Sequence, residues 1–283
     1  MVETNSALAD LGHLIESLPF EYLLIGHCLI VASWFPKLKD RYLLSFWVGA
    51  LAAFGGGILT ALLIQEPKRA PIPLLTSNTV GLTWTICWWL INYFPGNLAA
   101  RVFSFPPLKT SAKACLNILR AGLIASRIDL TTELYPGVLA APLIIGSIAG
   151  TGGRFSIDPI LGGFGALEGP AEIAEPAFAA RSGFFGSLVY WLAVHVYGVL
   201  TPLEGKALIS TLFIAHGLLV DLFGWHFDFT HPPAYLAHAV TNVPMPGQVK
   251  QPVTGAAPKP AASTADSSKR GGESKKPENK KLK

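Results

Sequence analysis

The chain is short of charge. Only 14% of its 283 residues are Asp, Glu, Lys or Arg, against about 25% in soluble domains. That is too little polar material to cover a globule of this size, and 51% of the residues are hydrophobic. The class is membrane protein. Cysteine is scarce as well. Cys28, Cys87 and Cys115 stand singly in apolar stretches, which excludes a disulfide framework or a clustered zinc site and leaves them as small packing residues. The opening MVETNSALADLGHLIESL has no lysine or arginine. A cleaved signal peptide needs a positive n-region, a short apolar core and a small-residue cleavage site, so the first apolar segment is expected to remain as a membrane span. No nucleophile, phosphate loop or paired carboxylates stand within the apolar segments. An enzyme is not expected.

What the chain does have is apolar runs near the roughly 20 residues that span a bilayer. Seven are read: 20–35, 42–64, 74–94, 108–127, 136–150, 183–200 and 207–224. The count falls to six if the fourth lies in the membrane interface. From Gln251 onward the chain is rich in Pro, Ala, Ser and Lys, a composition that buries too little apolar surface to offset ordering entropy. The expected division is a lumenal N-terminal segment 1–18, a seven-span domain 19–226 and a disordered basic tail 227–283. Lysine and arginine in short loops set orientation. Lys37, Lys39, Arg41, Arg101, Lys109, Arg154 and Arg181 fall on one side, Lys68, Arg69, Arg127 and Lys206 on the other. This predicts a lumenal or exterior N-terminus and a cytosolic C-terminus.

Two glycine runs stand out. Gly55, Gly56 and Gly57 interrupt the second apolar run, and Gly150, Gly152 and Gly153 close the fifth. Each glycine costs a helix interior about 0.8–1 kcal/mol relative to alanine. Spans two and five are the middle members of two groups of three. An odd number of spans per group inverts one half relative to the other. Glycine-interrupted segments at matching places of inverted halves point to a central binding or conduction site. Glycines that let helices pack closely would give the same pattern. The sequence leaves both readings open.

The fourth segment carries a basic stripe. At 100° per residue, Lys109, Lys113, Asn117, Arg120 and Arg127 lie within an arc of about 80°, with Cys115, Ile118, Leu119 and Ala125 opposite. Intramembrane cations face a bundle interior or an aqueous path, which favours a ligand- or pore-lining role for Lys113, Asn117 and Arg120. A basic face on an interfacial helix is one alternative; snorkelling of Lys109 and Arg127 from the helix ends is another.

These residues resemble the trimeric intracellular cation channels, the TRIC family. FGGGILTALLIQEP, from Phe54 to Pro67, is similar to the family's second-span signature of a triple glycine, an apolar run and Glu-Pro. Gly150 to Gly153 resemble the glycines after its fifth span, and PFEYLLIGH, from Pro19 to His27, its first-span entry. The resemblance covers about residues 19–224. It implies an all-α membrane protein of seven transmembrane helices, two inverted three-helix repeats plus a seventh helix, kinked at the glycines of spans 2 and 5. It also implies a homotrimer in the endoplasmic or sarcoplasmic reticulum, passing potassium as counter-ion during calcium release under voltage control. In the family a Lys-Glu-Val-x-Arg-x-x-Lys pattern on the fourth span holds a phosphoinositide. This chain reads KACLNILR, with Lys113 and Arg120 kept basic but Ala114 and Asn117 at the acid and central arginine positions. Two cations and an amide imply a weaker phosphoinositide site or a different anionic lipid. No other cofactor and no nucleic-acid partner is implied. Lys280 and Lys281 near the C-terminus resemble a dilysine retrieval signal.

His216, Asp221 and His226 are spaced by five, which does not stack metal ligands on one helical face. His27 and His195 have no defined partner in the sequence. Asp129 and Glu133 are expected in a solvated lumenal loop. Two other functional classes remain: a secondary transporter built on the same inverted halves, and a seven-span receptor or scaffold that moves no ions.

Overall fold

A computed structural model describes residues 6–65, 72–224 and 228–241. The helices, in chain order, are α1 (Ser6–Ser17), α2 (Phe20–Ala32), α3 (Tyr42–Ile64), α4 (Pro73–Thr76), α5 (Asn78–Tyr93), α6 (Leu98–Phe103), α7 (Pro106–Leu134), α8 (Ala140–Gly163), α9 (Phe178–Trp191), α10 (Pro202–Phe223) and α11 (His231–Thr241). Among the described residues there is no strand. Each of the seven apolar runs overlaps one of α2, α3, α5, α7, α8, α9 and α10. By length and composition, α3 and α10 are long and apolar enough to cross a membrane. The pair formed by residues 7–17 of α1 and α2, bent by 80° at its break, passes the same test jointly.

Helix ends follow local chemistry. Thr201 and Glu204 form a reciprocal capping box at the start of α10, with Pro202 in the first turn, where its missing N–H costs nothing. The same helix stops at Gly224, whose φ of 63° is left-handed. Helix α7 is the hub: α2, α8 and α10 all pack along it. At the α2–α7 contact a Cβ on Gly26 would stand 2.7 Å from the Cys115 sulfur. The most extensive pairing of all is α3 with α8.

Four expectations change. The fifth helix does not end at its glycines: α8 continues to Gly163. Nor is either glycine-bearing helix interrupted, since α3 and α8 run as continuous α-helix through Gly55–57 and Gly150–153. Neighbouring backbone, described below, compensates the low helix propensity. Third, residues 6–17 do not stand apart from the bundle. Helix α1 lies against α10, with Ile15, Leu23, Ile118 and Ala207 in one buried cluster. Finally, α11 stands where a disordered tail was expected to begin at residue 227. Its prolines, Pro232 and Pro233, occupy the first turn, where a helix has no N–H bonds to lose. The basic tail beyond Thr241, with Lys280 and Lys281, lies outside the described residues, as do Lys68, Arg69 and His226.

Candidate functional site

The glycine runs meet. A Cβ on Gly56 would lie 2.3 Å from the Ala149 carbonyl oxygen, and one on Gly153 would lie 2.3 Å from that of Ala52. A Cβ on Gly152 would stand 2.6 Å from the Gly56 Cα, and one on Gly55 would stand 3.0 Å from the Gly153 Cα. As numbers rise along α3 their partners' numbers fall along α8, so the helices cross antiparallel. Ala52 with Gly56, and Ala149 with Gly153, are small residues four apart, the spacing that lets two backbones touch. Gly57 differs: its Cβ would find only the Leu123 side chain, 4.0 Å away. Gly55, Gly56, Gly152 and Gly153 thus make the seam.

Beside this seam lies a cavity of about 340 Å³. Its wall includes Gly56, Gly57, Leu123, Gly150, Thr151 and Arg120, with His27 on the α2 side. His27 Nε2 lies 3.0 Å from the Ala53 carbonyl oxygen. Apart from a few such groups the lining is apolar. Arg120 and Arg154 are the cations in its wall, and Arg120 is tied to its neighbours. Its Nε donates to the Gly150 carbonyl at 2.8 Å, and its Nη2 donates to the Ala179 carbonyl and to Ser182 Oγ. The guanidinium carbon also sits 4.8 Å from the Phe213 ring centroid. One side chain of α7 therefore bridges to the second glycine run and to the start of α9. A planar, multiply donating guanidinium can satisfy several carbonyls at once, which an ammonium cannot do with the same geometry.

The rest of the stripe goes elsewhere. Lys113 pairs with Asp221 of α10, which also accepts from Thr110 Oγ at 3.3 Å. Asn117 Nδ2 donates to the Phe213 carbonyl at 3.1 Å. Arg127 is buried inside α7, two turns short of its end, rather than at a terminus from which it could snorkel. Lys113, Asn117 and Arg120 share a helix face but each has its own protein partner.

Two polar clusters flank the bundle, and sequence reasoning had neither. Asp129 is within α7, not in a loop. It accepts from Tyr190 Oη at 2.9 and 3.0 Å and lies 2.8 Å from His195 Nε2. His195 belongs to a π-helical turn, residues 192–196, at the end of α9. At the start of α9, buried Glu172 accepts from the Ala177 and Ala180 amides at 3.1 Å each, and its own amide donates to Asp158 at 2.7 Å. Arg154 Nε lies 3.5 Å from Asp158 and 3.7 Å from Glu172. His216, set aside as a metal ligand, stacks on Phe178 with centroids 4.1 Å apart.

Residues 37–216 match the family model described as the TRIC channel, which is more than half of the chain. The chain belongs to the TRIC channel family. Among curated relatives, a trimeric intracellular cation channel type B of Rattus norvegicus is 27% identical over 150 residues, covering 52% of this chain and 50% of the relative. Its human counterpart is 25% identical over 172 residues, covering 60% and 57%. The chain thus spans about half the length of these curated relatives. Two solved structures share the fold. A trimeric intracellular cation channel from C. elegans in the absence of Ca2+ has a TM-score of 0.65 at 19% identity, covering 76% of this chain and 95% of that one. A TRIC counter-ion channel studied for its activity in calcium release has a TM-score of 0.68 at 19% identity, covering 77% and 100%.

Proposed function

We propose that this TRIC-family chain conducts monovalent cations, potassium foremost, across the endoplasmic or sarcoplasmic reticulum membrane as counter-current to calcium release. The observation that carries the reading is the cavity beside the antiparallel glycine seam, with Arg120 and Arg154 in its wall. The relatives' names support a homotrimer. Charge counts support a lumenal N-terminus and a cytosolic C-terminus, and the apolar runs and family membership support seven spans arranged as two inverted halves and a seventh helix. Arg120 is the charge suited to sensing voltage, since each elementary charge crossing the field is worth about 2.3 kcal/mol per 100 mV. A fixed cation in a cation path repels its cargo. The Gly150 and Ala179 carbonyl oxygens engage the Arg120 guanidinium, and a bound anionic lipid would further offset its charge. For a phosphoinositide to be bracketed by Lys113 and Arg120, Lys113 must first leave Asp221.

The same antiparallel crossing also suits a secondary transporter that alternates access around a midplane site. Recording purified protein in planar bilayers separates the two. Ohmic unitary currents whose reversal potential follows the potassium gradient are expected. Saturable, substrate-coupled flux without unitary currents would replace the channel with a transporter. No flux at all would leave a scaffold.

A further inference from the structure

A second pair of cavities lies away from the central one, around the short helix α6. The first, about 470 Å³, is polar and includes Lys39, Arg101, Lys109, Asn97 and Ser104 in its wall. Its charged lining groups, among the described residues, are all cationic. Lys39 Nζ donates to Asn97 Oδ1 at 2.7 Å. Arg101 and Lys109 are exposed, and among the described residues no acidic side chain pairs with either. The second, about 310 Å³, is an apolar groove lined by residues such as Leu90, Phe94, Leu98, Val102 and Leu108. The two share Ile91 and Phe103 as a common wall.

A basic chamber joined edge to edge with an apolar groove is complementary to one kind of molecule. We infer that this is a binding site for an anionic glycerophospholipid, its headgroup phosphate against Arg101 and Lys109 and one acyl chain along the α5–α6 groove. Three features select this occupant. The apolar groove excludes a free phosphate or a soluble anion as the full ligand. The absence of lining carboxylates disfavours a cation or a basic peptide. The cations also stand on the side that the charge count assigns to the cytosol, where anionic lipids concentrate and each nearby Lys or Arg contributes about 1 kcal/mol. The site is distinct from the Lys113–Arg120 face, whose side chains are engaged with α8, α9 and α10. It goes beyond the proposed conduction and does not depend on it.

The test is lipid retention by the delipidated full-length protein in detergent, read by native mass spectrometry. Dioctanoyl phosphatidylserine, dioctanoyl phosphatidylcholine and chain-free glycerophosphoserine serve as the probes. Phosphatidylserine is expected to bind well above the other two. Arg101→Gln with Lys109→Gln should weaken it on the order of tenfold or more, as should Ala99→Trp, which fills the groove. Lys206→Gln, on the opposite side by the charge count and paired with Glu16, should leave it unchanged. The two glutamine changes fall on exposed side chains, so the protein should stay folded, as its unchanged elution would confirm. Undiminished phosphatidylserine binding by the double glutamine variant overturns the site. So does glycerophosphoserine binding as tightly as the lipid, which would reduce it to a phosphate pocket. Loss of binding in Lys113→Gln alone would move the lipid to the other face of α7.

Discussion

The α3–α8 seam and the α7–α10 seam solve opposite problems. The first is made by removing side chains, so that Gly56 and Gly153 place backbone against the carbonyls of Ala149 and Ala52. The second is made by adding polar side chains and giving each a partner: Lys113 to Asp221, Asn117 to the Phe213 carbonyl. A seam of bare backbone cannot accept another atom. A seam of paired side chains can lose one pair and re-form. Position in the bundle therefore predicts tolerance better than residue type does, and within one glycine run the answer changes from Gly56 to Gly57.

The sharpest way to break the comparison is Gly56→Leu. With a Cβ only 2.3 Å from a carbonyl oxygen, the helices must part. Overpacking of this kind typically costs about 1–3 kcal/mol and sometimes more. The expected outcome is loss of monodisperse, thermally stable protein on size exclusion. Wild-type stability would show that the seam is not packed as described.

Arg120→Gln comes next. It removes charge-assisted bonds to two carbonyls and a hydroxyl, each worth about 1.5–3 kcal/mol, and deletes the charge assigned to voltage sensing. The protein should lose stability, and its currents should show a shallower voltage dependence. Arg120→Lys should restore the slope but not the full stability. An unchanged slope in both variants would remove Arg120 from the gating charge.

Gly57→Leu sharpens the contrast with Gly56→Leu. Its side chain would point into the cavity rather than the seam, so stability should change by less than about 1 kcal/mol while unitary conductance falls. A destabilisation equal to that of Gly56→Leu would dissolve the distinction between the two glycines. Smaller still is Lys113→Gln, expected to cost about 0–1 kcal/mol because the pair is partly exposed, measured as the shift in thermal midpoint.

The smallest effect is a pH dependence at the α10–α11 connection. Burial alone would raise the Asp228 pKa, but hydrogen bonds from Thr230 and Arg181 outweigh it and hold the carboxyl below its ordinary value. Stability from this group is thus fully present above the unfolded carboxylate pKa of about 3.9 and is lost as pH falls through the lower folded value. The difference in thermal midpoint between wild type and Asp228→Asn should shrink as pH drops from 6 toward 3. A constant gap would mean that the Asp228 charge contributes nothing.

Much of the helix layout is legible in the sequence because apolar runs are a local signal. The same locality explains what is missed. Gly150 to Gly153 read as a helix end because intrinsic propensity counts against them, yet α3, about a hundred residues away in the chain, supplies the contacts that keep α8 going. Reading Ala52 with Gly56 and Ala149 with Gly153 as small pairs four apart would have found the seam. Arg120 is legible as an inward cation, but two of its three hydrogen-bonding partners are backbone carbonyls, which no residue type reveals. Asp129 lies more than 60 residues from both Tyr190 and His195, and no spacing rule connects it to them. Pro232 and Pro233 read as helix breakers because their place in a first turn is not visible before the helix start is known.

One dimension of α7 bears on where the protein can work. Its 29 residues make a rod about 43 Å long at 1.5 Å per residue, against a hydrocarbon core of about 30 Å. On the proposed topology such a rod leans or protrudes, and the lean depends on how thick the bilayer is. Because Arg120 is fastened to α8 and α9 while Lys113 is fastened to α10, any change of lean is levered between those attachments. On the proposed seven-span topology, membrane thickness is expected to act on the cavity wall. Reconstitution in lipids of increasing chain length would tune it without altering a single residue.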